Sequence, residues 1–112
     1  MAQTPRCPIR HIVMWRVAGE TDAERSLAMA RVRNGFEALR GAIPGMTHLE
    51  VGLDISRIDY ACDMVLVTEF ESAEALEAYA VHPAHLALRD ILAGLRIARH
   101  QVDYVIAAPE GV

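Results

Sequence analysis

Tyr79-Ala80-Val81-His82-Pro83-Ala84-His85 is the stretch on which the reading of this chain turns. It sets two imidazoles and a phenol around one proline. A proline at the start of a helix biases the residue before it away from helical dihedrals. His82 is therefore predicted at the N-cap and Pro83 at the first helical position. His85 then falls in the first turn, among free backbone N–H groups and the positive end of the helix dipole. Tyr79 ends the apolar run that comes before. A helix is broken here, with a phenol on one side and an imidazole on the other, and both can face one pocket. The rest of the chain reads as a scaffold that closes around the break.

Working outward, Ser72 is placed to cap the helical piece upstream, with Glu74 in its first turn and Leu76 and Tyr79 near one face. Downstream, a second piece runs from Pro83 to about Ala93 with Leu86, Leu88, Ile91 and Leu92, and Gly94 stops it. Strands flank both pieces. Residues 63–70 carry the strongest β signal, with Val65, Val67 and Thr68 β-branched, and residues 101–108 set Val102, Tyr104 and Ile106 on one side. Before them, residues 46–53 alternate Thr47, Leu49, Val51 and Leu53 against His48 and Glu50, and a loop follows over 54–62. Residues 9–17 form the first strand, with Ile9, His11, Val13, Trp15 and Val17 on one face and Ile12 and Met14 on the other. Thr21-Asp22-Ala23-Glu24 matches a capping box, and a helix to about Arg40 carries Ala28, Val32, Phe36, Leu39 and Ile43 as its apolar stripe. Ile43-Pro44-Gly45 turns the chain into the second strand.

The resulting order, β-α-β-β-α-β, is the ferredoxin-like pattern of the α+β class. It builds a four-stranded antiparallel sheet with both helices on one face, and leaves the other face bare. The strands are apolar on both sides, so the bare face calls for a cover, and a second copy of the same sheet is the economical one. Composition agrees. The chain has 112 residues, enough for one domain, and 53% of them are hydrophobic, an excess that fits burial against a second subunit. A homodimer is the expected state. A net charge of −4 and a pI near 5.7 argue against nucleic acid or an anionic membrane as partner. Cys7 and Cys62 are too few for a disulfide-built fold, which makes a reducing, cytoplasmic setting the expectation. No apolar run reaches the length of a membrane span. Residues 1–8, polar and holding Pro5 and Pro8, are expected to be a loose tail rather than a signal peptide; residues 9–108 form the domain and 109–112 a second tail.

These features resemble the stress-responsive alpha/beta barrel family, often called Dabb. The matching residues are His11-Ile12-Val13, Ile43-Pro44-Gly45, Leu49-Glu50-Val51-Gly52, Glu69-Phe70, Ala78-Tyr79, His82-Pro83-Ala84-His85 and Val102-Asp103-Tyr104. They span nearly the whole chain, and the Tyr-x-x-His-Pro-x-His segment is the specific part. The resemblance implies a dimeric α/β barrel in which two four-stranded sheets close on each other. Many members of that family have no known activity, and some are plant stress proteins with no assigned reaction. One type is a polyketide cyclase that closes a ring by intramolecular aldol condensation. In it the tyrosine and second histidine of the motif are the acid/base pair, and a first-strand histidine lies near the substrate. Carried over, these are Tyr79, His85 and His11, and no cofactor is implied.

An aldol cyclisation needs a base to take an acidic C–H proton and a donor to hold the carbonyl oxygen as charge grows on it. Neutral His85 can be that base and the Tyr79 hydroxyl that donor. The bland alternative stands beside this: His82 caps a helix, His85 bonds a backbone carbonyl, and Tyr79 fills a gap under the sheet. His82, Trp15, Phe36 and Tyr104 are the candidates to line a pocket for a small apolar or aromatic molecule, although Trp15 is more often a core residue. His82-x-x-His85 has the look of a metal pair but lacks a third ligand nearby. Asp103 can orient an imidazole, though a plain paired-strand role is commoner. Cys62 has no basic neighbour to activate it. Arg31 and Arg33 read as a solvated helix face. Three functions remain open: a pocket protein with cofactor-free cyclase or isomerase-like chemistry, a non-enzymatic stress or interaction protein with a structural motif, and a cofactor-independent monooxygenase by analogy of fold alone.

Overall fold

The computed structural model describes residues 7–106. The elements are β1 (Ile9–Val17), α1 (Asp22–Glu37), β2 (Met46–Leu53), β3 (Met64–Phe70), α2 (Ala73–Ala80), α3 (Pro83–Ile91) and β4 (Arg96–Val105). The sheet order is β2-β3-β1-β4, with every neighbouring pair antiparallel. This is the ferredoxin-like α+β arrangement expected from the sequence, its second helix broken into α2 and α3. The loose tails expected over residues 1–8 and 109–112 lie outside the described residues, apart from Cys7 and Pro8; the Pro8 carbonyl accepts from the Ile106 amide at 2.9 Å.

Local chemistry sets the helix ends. The Thr21 hydroxyl accepts from the Glu24 amide at 3.1 Å, and the Glu24 carboxylate accepts from the Thr21 amide at 3.0 Å, closing the capping box. The Glu20 amide also donates to that carboxylate, and the bonds from Glu20 and Thr21 favour its charged form and hold the Glu24 acid below its ordinary value. α1 ends at Glu37 rather than Arg40, but Leu39 and Ile43 in the turns beyond it still reach the core. The Ile43-Pro44-Gly45 turn holds Gly45 at φ +80°, and its carbonyl accepts from Glu71 at 2.9 Å. A Cβ there would come within 2.6 Å of the Ala75 Cβ, so the turn locks the entry of β2 onto the start of α2.

The period of two sorts the sheet into two faces. On one, Val13, Trp15, Leu49, Leu66 and Phe70 form a continuous core with Ala28, Val32 and Phe36 of α1, Tyr79 of α2, Leu88 of α3 and Leu92 just past its end. Trp15 stacks on Phe36 with ring centroids 5.3 Å apart. Helices α1 and α3 approach closely at Gly35, where an added Cβ would lie 2.5 Å from Leu88 Cδ1. On the other face, Ile12 and Met14 of β1 sit beside Val65 and Val67 of β3 and Val102 of β4, and among the described residues no element covers them. Asp63 is buried at the top of β3, where it accepts from the Val17 amide at 2.8 Å and from Arg57 at 2.9 Å.

Three sequence expectations need correction. β4 begins at Arg96, not at residue 101, because backbone pairing with β1 continues through a stretch of charged residues that shows no apolar alternation. Ala107 and Ala108, expected at its end, lie outside the described residues. A register shift between Met46 and His48 leaves Thr47 as an extra residue, so Met46 takes the core-facing position the alternation assigned to Thr47. Along α3 and just past its end the core takes Leu88 and Leu92, while Leu86 and Ile91 are exposed.

Candidate active site

The break between α2 and α3 forms as the proline chemistry requires. His82 is extended at φ −64°, ψ 135°, Pro83 opens α3, and His82 Nδ1 accepts from the Ala84 amide at 3.0 Å. His82 is thereby a capping residue. Its ring is committed to the helix terminus.

His85 sits one turn on. Its Nδ1 donates to the Ala80 carbonyl at 3.2 Å, an orphan carbonyl at the end of α2. A carbonyl only accepts, so Nδ1 carries the proton and Nε2 is the basic nitrogen. Burial, foremost, pushes the imidazole below its ordinary value; the Ala80 bond pulls it back, and Arg89, Arg96 and His11 add to the lowering. At neutral pH the ring is a neutral base with its tautomer fixed. Tyr79 packs against it with ring centroids 4.3 Å apart. Burial pushes the Tyr79 hydroxyl up to about 12 against a smaller opposing pull from Arg96 and Arg99. The phenol is thus a proton donor throughout the neutral range.

His11 lies behind Tyr79, edge-on at 6.2 Å, and is itself buried. β1 and β4 pair His11 directly with Asp103, and the Asp103 carboxylate accepts from His11 Nδ1 at 2.6 Å. Asp103 therefore does both things weighed for it in the sequence: it is a paired strand residue and it orients an imidazole. The two residues are 92 positions apart in sequence, and strand register alone brings them together. The result is a row, Asp103–His11–Tyr79–His85, in which a carboxylate is bonded to one imidazole and a phenol ring packs between two imidazoles.

The row ends at a cleft of about 420 Å³ between α3 and β4, lined by His85 and Ala80 on one side, Arg96 and Arg99 on the other, and Trp15 at its floor. Tyr79 stands immediately behind His85. Phe36 stands behind Trp15 and supports it. Tyr104 is on the opposite, bare face, where its hydroxyl accepts from Arg10 Nη1 at 2.6 Å. The structure thus brings together Tyr79, His85, His11 and Trp15, sets Phe36 and His82 as supports, and separates Tyr104 from them. A second, larger concavity of about 520 Å³ lies toward the bare face; Asp54, Tyr60, Cys62 and His100 are among its lining residues, and the Tyr60 and His100 rings make no contact like that of Tyr79 with His85. Among the described residues no three His, Cys, Asp or Glu side chains come together to hold a metal ion.

Arg96 and Arg99 were not read from the sequence as site residues. They share the cleft because of a bulge. Trp15 pairs with Arg99 and Val17 with Arg96, so two residues of β4, Ile97 and Ala98, stand opposite Arg16 alone. Ala98 takes the extra position at φ +50°, a strained region for a residue with a Cβ, at a cost of about 1–2 kcal/mol. Side chains three apart on a regular strand point to opposite faces. Here both arginines reach the helix-covered face, and Arg96 lies 5.0 Å from the Trp15 ring centroid and 5.5 Å from that of Phe36.

Comparison with known proteins agrees with this architecture. The chain is 30% identical over 99 residues to the uncharacterized protein SCO4036 of Streptomyces coelicolor, covering 88% of this chain and 95% of that one. Among solved structures it is similar to a dimeric protein of unknown function and ferredoxin-like fold from Bacteroides fragilis, with a TM-score of 0.78 and 29% identity over 88% of this chain and 96% of that chain. A Dabb family protein with a ferredoxin-like fold from Mesorhizobium loti is similar at a TM-score of 0.73 and 28% identity, over 92% of this chain and all (100%) of that chain. The family model for the stress responsive A/B barrel domain matches residues 9–106, nearly the whole of the fold described above, and the chain belongs to that family, Dabb.

Proposed function

We propose that this chain is a homodimeric, cytoplasmic pocket protein that carries out cofactor-free acid–base chemistry on a small carbonyl compound with an apolar or aromatic body. The observation that supports this most is the contact between His85, on the wall of the cleft, and Tyr79, packed directly behind it. His85 is a neutral imidazole whose Nδ1 proton is committed to Ala80, and Tyr79 is a phenol kept protonated by burial. In this reading His85 Nε2 takes a proton from carbon next to a carbonyl, and the Tyr79 hydroxyl donates to the oxygen on which negative charge develops. His11, oriented by Asp103, sets the Tyr79 ring from behind. The enolate then attacks a second carbonyl, as in an aldol closure, or is reprotonated elsewhere, as in an isomerisation. Dimerisation is supported by the apolar bare face and by the dimeric state of the Bacteroides fragilis structure.

The test is exchange of acidic C–H protons for deuterium in heavy water, followed by NMR over a panel of β-dicarbonyl compounds. Catalysed exchange is expected in the wild type and a loss of about a hundredfold in His85→Ala, the usual range for a lost general base. Native mass spectrometry of the gently purified protein reports subunit number and any retained small molecule in parallel. If Tyr79→Phe and His85→Ala changed neither exchange nor retention, the reading would fall.

A non-enzymatic protein is the second reading. It is favoured by one observation: both motif histidines bond backbone, His82 the Ala84 amide and His85 the Ala80 carbonyl. It expects the same substitutions to lower the melting temperature and to change nothing else.

A further inference from the structure

We infer that the cleft beside His85 recognises an oxyanion on its substrate, a carboxylate or a phosphate monoester, through Arg89, Arg96 and Arg99. The inference rests on the pocket reading above and names the class of molecule that enters it.

Arg89 of α3 and Arg96 and Arg99 of β4 line the cleft together with His85, and no aspartate or glutamate lines it. The contrast with the other arginines is direct. Arg10 is paired with Glu69, Arg25 with Asp22, Arg40 with Glu37, and Arg57 with Asp54 and Asp63. Among the described residues, none of the three cleft arginines has a carboxylate partner. Arg31 and Arg33 share that trait, but they stand exposed on α1 and line none of the cavities described, and Arg16, which donates to the Asp59 carbonyl, lines a concavity that Asp22, Asp59 and Asp63 also line. Three like charges around one concavity repel one another, and an acidic chain of net charge −4 has ample carboxylates to neutralise them. Leaving them unpaired is a cost that an entering anion removes.

The positions are also held. Arg96 lies within cation–π range of both Trp15 and Phe36, which holds its guanidinium beside the stacked rings with no carboxylate competing for its N–H groups. Arg99 donates to the Gln101 amide oxygen, and Gln101 Nε2 donates to Asp103 Oδ2 at 3.0 Å. A neutral amide thus stands between Arg99 and the carboxylate that would otherwise quench it, and it ties the anion site to the Asp103–His11 pair. The Ala98 bulge is what lets Arg96 and Arg99 share a face at all. An anion seated on these groups would place the body of the substrate along Trp15 and His85.

Isothermal titration calorimetry on the intact protein with benzoate, phenyl phosphate and the neutral benzamide tests this. Binding of one or both anions and none of benzamide is expected, and which anion binds tighter decides between carboxylate and phosphate. Arg89→Gln and Arg99→Gln, both at exposed positions, are each expected to weaken anion binding about tenfold or more with the melting temperature unchanged. Arg96→Lys keeps the charge and the fold while losing the fork, and is expected to weaken binding less than Arg99→Gln. Benzamide binding as tightly as benzoate, no heat with either anion, or full affinity in both glutamine variants would overturn the inference. The two readings fail separately. Anion binding without any deuterium exchange sinks the acid–base reading and leaves this one standing. Exchange that needs His85 yet is indifferent to substrate charge does the reverse.

Discussion

The two faces of the sheet are made by the same strands and differ in everything else. In β1, residues 9, 11, 13, 15 and 17 are buried under the helices, while 10, 12, 14 and 16 are half-buried or exposed. The covered face holds the row Asp103–His11–Tyr79–His85, and packing sets it: Phe70 against Tyr79, Tyr79 against His85, Trp15 against Phe36. The bare face holds aliphatic residues at the centre, with Arg10 donating to both Glu69 and Tyr104 toward one end. A strand whose neighbours alternate between chemistry and assembly can change one without the other, because a substitution reaches only the face it points to. That is the lesson of the comparison, and it can be broken in several ways.

The largest effect belongs to the covered face. Phe36→Ala removes the ring under Trp15 and Arg96 and should cost about 3–5 kcal/mol of unfolding free energy in a denaturant titration. Val67→Glu addresses the bare face. It should leave the monomer folded and turn a dimer into a monomer in light scattering, since a charge buried without a partner costs about 3–5 kcal/mol. If Val67→Glu unfolded the protein instead, the two faces would not be separable. Gly35→Ala adds one methyl where α1 meets Leu88 and should cost about 1–3 kcal/mol, although alanine is the better helix former. Thr21→Ala, far from either face, should cost about 1 kcal/mol through the lost cap.

The smallest effects are in pH. The His85 imidazole lies lower in the folded chain than the ordinary 6.5, so the unfolded chain binds the proton more readily. Its contribution to stability is present above 6.5 and is lost as the pH falls below that value. Tyr79 lies higher, at about 12 against an ordinary 10.0, so its contribution is present below 10.0 and is lost as the pH rises toward 12. Melting temperature against pH should fall at both ends, the acid limb flattening in His85→Ala and the alkaline limb in Tyr79→Phe.

Much of this was legible in the sequence, for reasons that differ by region. The element order and the faces of β1 and β3 follow from alternation that burial enforces. The break at His82-Pro83 follows from local sterics, and the Thr21 capping box from local hydrogen bonds. What could not be read depends on register or close approach. Nothing in the sequence pairs His11 with Asp103 rather than with a residue two away. Gly35 resembles any helix glycine until Leu88 is placed against it. Arg96 and Arg99 fall between the helix stop at Gly94 and the strand expected from residue 101, where charge without alternation marks no element, and only the bulge shows them to be strand residues on the covered face. Asp63, read as the first residue of a strand, is a buried acceptor for Val17 and Arg57.

The bulge at Ala98 has a consequence for how such a protein changes over generations. It is a parity device. Deleting that one codon would restore the regular alternation of β4, and of the pair Arg96 and Arg99 one would be carried to the opposite side of the sheet while the other stayed. The core, the helix caps and the histidine pair would be untouched. Charge preference in the cleft can therefore be rewritten by a single-residue deletion or insertion at a sheet rim, without the succession of point substitutions that a packed interior would demand.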